Sequence, residues 1–166
     1  MTTLHLAKQN FKFSAAHFLI FDDKHAERLH GHNYQVVVDI VAPDEEEYHQ
    51  EGYFLDFNIF KKYIKAKLDS WDEIVLLPKN QKDMKFVTKE KSLEVTFRDR
   101  FYVFPKEEVL LLPVSNTSVE NLSRLLAEDF FQEFQKYGVR EVKVLVEETA
   151  GQGAASVVSH SLRIQK

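Results

Sequence analysis

The sequence predicts an α+β fold: an antiparallel sheet carrying two helices on one face. Three observations point there. Apolar residues alternate at period two near both ends of the chain. Two stretches between them repeat apolar residues at three and four positions instead. The segments follow one another as strand, strand, helix, hairpin, helix, strand, strand, an order that segregates helices to one side of an antiparallel sheet.

The first strand is expected over Leu4 to Ala16, where Phe11, Phe13 and Ala15 share a face that His17 continues. The second covers His32 to Val41, with Tyr34, Val36, Val38 and Ile40 on one face. Asp44 to Glu51 is an acidic run that reads as a solvated loop. A helix follows from Phe57 to Trp71, striped by Phe57, Phe60, Ile64, Leu68 and Trp71. Alternation returns from Met84 to Phe104, where Phe86 and Thr88, then Leu93, Val95 and Phe97, flank a polar Lys-Glu-Lys stretch and suggest a hairpin. The second helix is expected over Val119 to Tyr137, with Thr117 or Ser118 as N-cap and Gly138 as stop. Glu141 to Glu148 and Ser156 to Ile164 close the chain as strands joined through Gly151-Gln152-Gly153.

At 166 residues the chain suits one domain over 1–166, large enough to bury a core without staples. Its net charge, 22 − 26 = −4, gives no electrostatic reason to expect nucleic acid or an anionic membrane as partner. No apolar run is long enough to span a bilayer, and Met1 to Asn10 lacks the apolar stretch of a signal peptide, so a cytoplasmic location is expected. The absence of cysteine excludes disulfides, thiolate ligands and a cysteine nucleophile from this chain.

Chemistry concentrates in Leu29 to Tyr34. His30 and His32 are two apart, so on a strand they point to the same face, and Gly31 between them permits close backbone approach. His17 ends the preceding strand on its apolar face. Three neutral imidazoles with one coordination position left open suit a catalytic zinc. Spacing alone also allows three separate histidines. His5, His25, His49 and His160 lack comparable partners and read as surface or capping groups. At the far end of the chain, Val142, Val144, Val146 and Glu148 share a strand face, and an acid ending an apolar face is costly unless partnered.

The segments FSAAHF (Phe13 to Phe18), ERLHGHNY (Glu27 to Tyr34), Asp56-Phe57, NTSVENL (Asn116 to Leu122) and Glu147 to Thr149 occur in an order that resembles the 6-pyruvoyl- and 6-carboxytetrahydropterin synthases. The similarity runs from Phe11 to Thr149, and the insertion from Met84 to Pro113 looks like that of a longer subgroup. The resemblance implies a T-fold: a four-stranded antiparallel sheet with two helices on one side, plus the inserted hairpin. Subunits would join as homotrimers into a barrel, or stack as homohexamers, with active sites between subunits. It also implies Zn2+ on His17, His30 and His32, and a small-molecule dihydropterin beside it. Glu148 would hold the pterin ring with help from Thr117 and Ser118.

Two positions depart from the pattern. The resemblance places a catalytic cysteine four residues before His30, where this chain has Ala26. It places an Asp-His pair after the first helix, where this chain has Asp72-Glu73 (or, in another register, Asp69-Ser70). Glu27, in the spacing E-x-x-H-G-H, resembles a subfamily in which glutamate replaces the cysteine and the side chain of dihydroneopterin is cleaved to give 6-hydroxymethyldihydropterin. Glu27, Asp72 and Glu73 are therefore the candidate proton-transfer residues. Three functions remain open on these residues: a lyase acting on a dihydropterin side chain, a zinc- and pterin-binding protein that has lost its chemistry, and a structural subunit that uses metal for stability.

Overall fold

The structure, a computed structural model, describes residues 1–44 and 48–160. Strands β1 (Thr3–Leu6) and β2 (Lys12–His17) occupy the span expected as one strand. A turn separates them, in which the Phe11 amide donates to the Lys8 carbonyl at 2.9 Å. Both then pair antiparallel with the long strand β3 (His30–Val41), β1 against its C-terminal half and β2 against its N-terminal half. β9 (Glu141–Thr149) lies on the other side of β3, and β10 (Gln152–Ser159) lies outside β9, both antiparallel. This antiparallel part matches the sequence expectation. The final strand begins four residues earlier than expected, and the last part of the expected span, 161–164, lies outside the described residues.

The sheet extends further than the sequence suggested. β4 (Ile74–Pro78) pairs parallel with β2, and β8 (Val109–Leu112) pairs parallel with β4, giving a mixed seven-stranded sheet. IVLLP and VLLL are short continuous apolar runs. Such runs carry no period-two signal, which is usual for buried parallel strands. The inserted segment likewise forms three antiparallel strands where a hairpin was expected: β5 (Met84–Thr88), β6 (Ser92–Phe97) and β7 (Arg100–Pro105).

Two helices cover one face of the large sheet. In α1 (Phe57–Asp69), Asp56 caps the first turn by accepting from the Asn58 amide at 2.8 Å. Phe60, Ile64 and Leu68 are buried, whereas Phe57 is exposed, so the apolar stripe starts one turn later than its spacing implied. α2 (Val119–Phe134) continues through a 3-10 turn (Gln135–Tyr137) and stops where Gly138 adopts φ 85°. That left-handed conformation costs glycine little. Leu122, Leu126, Phe130 and Phe134 of α2 join α1 and the inward residues of β3 and β9 in one core. A second, smaller core lies under the inserted sheet and contains Phe18, Leu77, Met84, Leu93, Val95 and Phe97. Among the described residues no helix is long and apolar enough to cross a membrane.

Candidate active site

Register places the three histidines. His17 pairs with His30 across β2 and β3, and Ala15 pairs with His32. Directly paired residues present side chains on the same face, so all three imidazoles project together at one end of the sheet. One nitrogen from each lies within 4.8 Å of the other two. His17 is fully buried, the other two partly so.

The hydrogen bonds fix the tautomers. His17 Nδ1 lies 2.9 Å from the carbonyl of Thr117, and His30 Nδ1 lies 2.7 Å from the carbonyl of Arg28. A carbonyl only accepts, so each Nδ1 carries the proton and each Nε2 presents a lone pair. His17 Nε2 is buried with no partner. His30 Nε2 and His32 Nε2 approach to 2.9 Å. A buried orphan acceptor beside converging imidazole nitrogens is costly unless a cation satisfies it. The donor set fits a zinc-type ion: three neutral imidazoles, two of them oriented through backbone carbonyls. Burial pushes the His17 pKa below its ordinary value of 6.5, more than the Thr117 contact raises it, with His30 and His32 depressing it further.

Two carboxylates flank this cluster. Glu27 Oε2 stands 3.7 Å from His30 Nε2 and accepts from the Leu19 amide at 2.9 Å. Glu148 Oε2 stands 3.9 Å from His32 Nε2, while its Oε1 accepts from Gln152 Nε2 at 2.9 Å. Its neighbour Glu147 turns away to accept from the Gly151 amide at 2.9 Å. Tyr34 closes the floor of the site, its ring centroid 5.9 Å from that of His17 and 5.7 Å from that of His32. Its hydroxyl is buried without a partner, and burial pushes its pKa up.

The remaining candidates fall into two groups. Thr117 is fully buried; its carbonyl orients His17, and its hydroxyl faces the Phe18 carbonyl at a long 3.5 Å. Ser118 begins α2 without using its side chain as a cap. Asp72 and Glu73 lie elsewhere in the chain. Asp72 Oδ1 accepts from the Ser14 amide at 2.7 Å, and the Glu73 amide donates to the Ser14 carbonyl at 2.7 Å. Glu73 lines a groove with Ser14, Ala15, Ala16, Gly31, His32 and Asn33. Of these, Ser14, Ala16, Gly31 and Asn33 alternate with the histidines along β2 and β3 and so present their side chains on the opposite face of the sheet. One chain therefore unites His17, His30, His32, Glu27 and Glu148, and leaves Asp72 and Glu73 apart.

Asn116 was not singled out from the sequence. Its side chain donates to the Ile20 carbonyl at 2.9 Å and accepts from the Ile20 amide at 3.2 Å, tying the start of α2 to the loop that carries Glu27. Its place at the head of NTSVENL was the available signal.

A sequence model of the family described as 6-pyruvoyl tetrahydropterin synthase matches residues 6–157. The chain belongs to this family. It is a family of tetrahydropterin synthase-like lyases. A protein of Methanocaldococcus jannaschii assigned as a 6-carboxy-5,6,7,8-tetrahydropterin synthase is 30% identical over 86% of this chain and 87% of its own length. A Pyrococcus abyssi protein with the same assignment is 28% identical over 81% of this chain and 78% of its own. Among solved structures, the 6-pyruvoyl tetrahydropterin synthase of Plasmodium vivax superposes with a TM-score of 0.84 at 24% identity, covering 95% of this chain and 98% of that one. The Plasmodium falciparum enzyme gives a TM-score of 0.84 at 23% identity over the same shares. These likenesses show that the family's T-fold is the fold of this chain. Structures of the P. vivax enzyme include variants in which a catalytic glutamate is replaced by alanine or cysteine.

Proposed function

We propose that this family member is a zinc-dependent lyase acting on the side chain of a 7,8-dihydropterin, either dihydroneopterin or its triphosphate, with Glu27 as the principal proton-transfer group. The observation that carries the reading is the placement of the Glu27 carboxylate, fixed by the Leu19 amide and 3.7 Å from His30 Nε2. A catalytic glutamate in the P. vivax synthase supports assigning that role to a glutamate where this chain has Ala26 in place of cysteine.

His17, His30 and His32 would hold the ion. Bound zinc would acidify and orient side-chain hydroxyls of the substrate as a Lewis acid. Glu27, aimed at the same space, would take a proton from the substrate side chain and return it to the product. Glu148 would accept two hydrogen bonds from the amino and ring N–H edge of the pterin, as a carboxylate does from a guanidinium. Gln152, which donates to Glu148 Oε1, keeps that carboxylate oriented. Thr117 and Ser118 would line the pterin side, Thr117 by holding His17 in place. Asp72 and Glu73 would complete the proton-transfer set from a neighbouring subunit of a homotrimer or homohexamer, since their own chain keeps them across the sheet from its histidines. The whole 1–166 chain would act as one cytoplasmic domain.

Incubating the zinc-loaded protein with 7,8-dihydroneopterin, and separately with its triphosphate, tests this reading by product chromatography and mass. Release of 6-hydroxymethyldihydropterin is the expected outcome. A pyruvoyl- or carboxytetrahydropterin product would shift the principal role away from Glu27. Bound but unchanged pterin would favour the second reading, a zinc- and pterin-binding protein, which Ala26 and the distant Asp72-Glu73 pair motivate.

A further inference from the structure

Glu27 sits in a loop that leaves β2 and returns to β3. The loop is closed at its neck by an isolated bridge between Ile20 and Ala26 and by the Glu27 amide donating to the Leu19 carbonyl at 2.8 Å. Asn116 grips the outgoing side at Ile20. The returning side is gripped by the inserted sheet, through a residue with no place in any motif.

Arg100, at the start of β7, donates from both terminal nitrogens to consecutive main-chain carbonyls, those of Glu27 and of Ala26, the second at 3.2 Å. Its guanidinium also lies 5.8 Å from the Phe18 ring centroid and 5.7 Å from that of Phe97, at the edge of the smaller core. It is partly buried and forms no ion pair with a carboxylate among the described residues. A partly desolvated cation without a counter-charge is costly, and here only two carbonyl dipoles and two aromatic faces compensate it. The rest of the loop is fastened from the same side: Arg98 donates to the Asp22 carbonyl at 2.6 Å and pairs with Asp83, and Lys82 pairs with Asp23 at 2.9 Å. The Lys82 pair is largely exposed and weighs less.

We propose that Arg100 is the positioning residue for Glu27, so that the inserted three-stranded sheet serves as a clamp setting where the proton-transfer carboxylate stands relative to the histidine cluster. The carbonyl that Arg100 holds belongs to Glu27 itself, while the opposite end of that residue receives the Leu19 amide. Releasing the carbonyl leaves Glu27 held on one side only, through its amide and its carboxylate on Leu19, and frees the returning strand of the loop to shift. A misplacement of about 1 Å at a reacting group can cost about 10²-fold in rate. The inference rests on the lyase reading for its kinetic consequence and on the hydrogen-bond geometry alone for its structural one.

The test compares Arg100→Ala, Arg100→Lys and the double variant Glu27→Ala/Arg100→Ala, each zinc-loaded, with the unaltered protein. Arg100→Ala is expected to lower kcat on dihydroneopterin by about 10²-fold while leaving KM and zinc content within about twofold. Arg100→Lys, which reaches one carbonyl but not two, should recover part of the loss. In the Glu27→Ala background, Arg100→Ala should cost nothing more, because the group it positions is gone. Amide hydrogen exchange gives a second readout independent of turnover. Loss of the two charge-assisted bonds should speed exchange at Leu19 and Glu27 by about tenfold or more, while amides of β3 facing β9 stay unchanged. If the protein has no lyase activity but exchange at Leu19 and Glu27 still rises, the functional reading falls and the clamp stands. Additive kinetic losses in the double variant, or unchanged exchange at both amides, would overturn the clamp. If Arg100→Ala fails to fold, Arg100→Lys carries the same two readouts.

Discussion

The two carboxylate sites of this chain are built in opposite ways. At the histidine end, nearly every functional atom is held from behind: His17 by a carbonyl of Thr117, His30 by a carbonyl of Arg28, Glu27 by the Leu19 amide and Glu148 by Gln152. At the Asp72-Glu73 turn, both residues are exposed on the other face of the sheet, and what is held is backbone and a capping carboxylate. The first arrangement is preorganised within one chain, which is how electrostatic and proton-transfer sites gain their effect. The second fixes the main chain and the Asp72 carboxylate and leaves the Glu73 side chain exposed.

Breaking the preorganised end should produce the largest effect. Glu27→Gln keeps the shape and the contact to Leu19 but removes the base. Turnover of the pterin side chain is expected to fall by about 10²–10⁴-fold, the usual contribution of one proton-transfer group. Zinc content, measured by metal analysis, should stay stoichiometric, because Glu27 is placed beside the histidines and is not one of the three. Loss of zinc in this variant would reassign Glu27 as a ligand.

Glu148→Gln sharpens the comparison from the substrate side. One acceptor oxygen becomes a donor facing the pterin edge, and a hydrogen bond to a charged group is exchanged for a mismatch. Hydrogen bonds to charged groups contribute about 1.5–3 kcal/mol, so pterin affinity should weaken by about 10- to 100-fold. Calorimetry with a dihydropterin would show this, and kcat at saturation should change far less. An equal fall in kcat and kcat/KM would instead place Glu148 in the chemical step.

His17 makes a pH prediction with a definite sign. Burial holds its folded-state pKa below the ordinary 6.5. As pH falls through 6.5, the unfolded chain takes up this proton before the folded one does. The stability that the neutral His17 contributes is therefore fully present above about pH 6.5 and is lost as pH falls from there toward its folded value. In the metal-free protein, urea midpoints should decline between about pH 7 and 5, and His17→Gln should flatten that part of the decline. A zinc-loaded sample should resist the decline further until protons displace the metal from all three imidazoles. An unchanged slope in His17→Gln would mean that His17 is not what the low-pH form protonates.

The same contrast explains what the sequence disclosed and what it withheld. β3 and β9 were legible because each buries one face, so Tyr34, Val36, Val38 and Ile40 alternate visibly and carry His32 and His30 into register. The single strand read over Leu4 to Ala16 was in fact two, because the period-two pattern continues on either side of the Lys8–Phe11 turn. β4 and β8 were missed because short, wholly apolar parallel strands have no alternation to read. The histidines could be found because the two-residue spacing of His30 and His32 and the strand-end place of His17 are visible in the sequence, and pairing of β2 with β3 brings them together. Arg100 could not, because a residue that grips backbone carbonyls places no demand on the identity of the residues it grips. The sequence offered Asp72 and Glu73 beside Glu27 as equals, whereas in the fold Glu27 reaches His30 and the other two are bonded to Ser14.

The smallest expected effect is also the one that best separates the two sites. Glu73 has φ 56°, left-handed backbone for a residue with a side chain. A left-handed residue other than glycine costs about 1–2 kcal/mol, and such strain persists only where the surroundings impose it. Here they do: the Glu73 amide is bonded to the Ser14 carbonyl, and the preceding Asp72 carboxylate accepts from the Ser14 amide. Glu73→Gly removes the strain but returns about 0.4–1 kcal/mol through the freer unfolded chain. A net gain of about 0.5–1 kcal/mol is expected as a higher urea midpoint at unchanged slope. Glycine would thus be the better residue for the turn by itself. If the side chain serves a neighbouring subunit's histidines, the stabilised variant should also turn over substrate more slowly, and mixing it with Glu27→Gln should restore activity in hybrid oligomers, where an intact Glu27 from one chain can meet an intact Glu73 from another. Higher stability with full activity would remove Glu73 from the reaction and leave the proton-transfer work to the end of the sheet where everything is held.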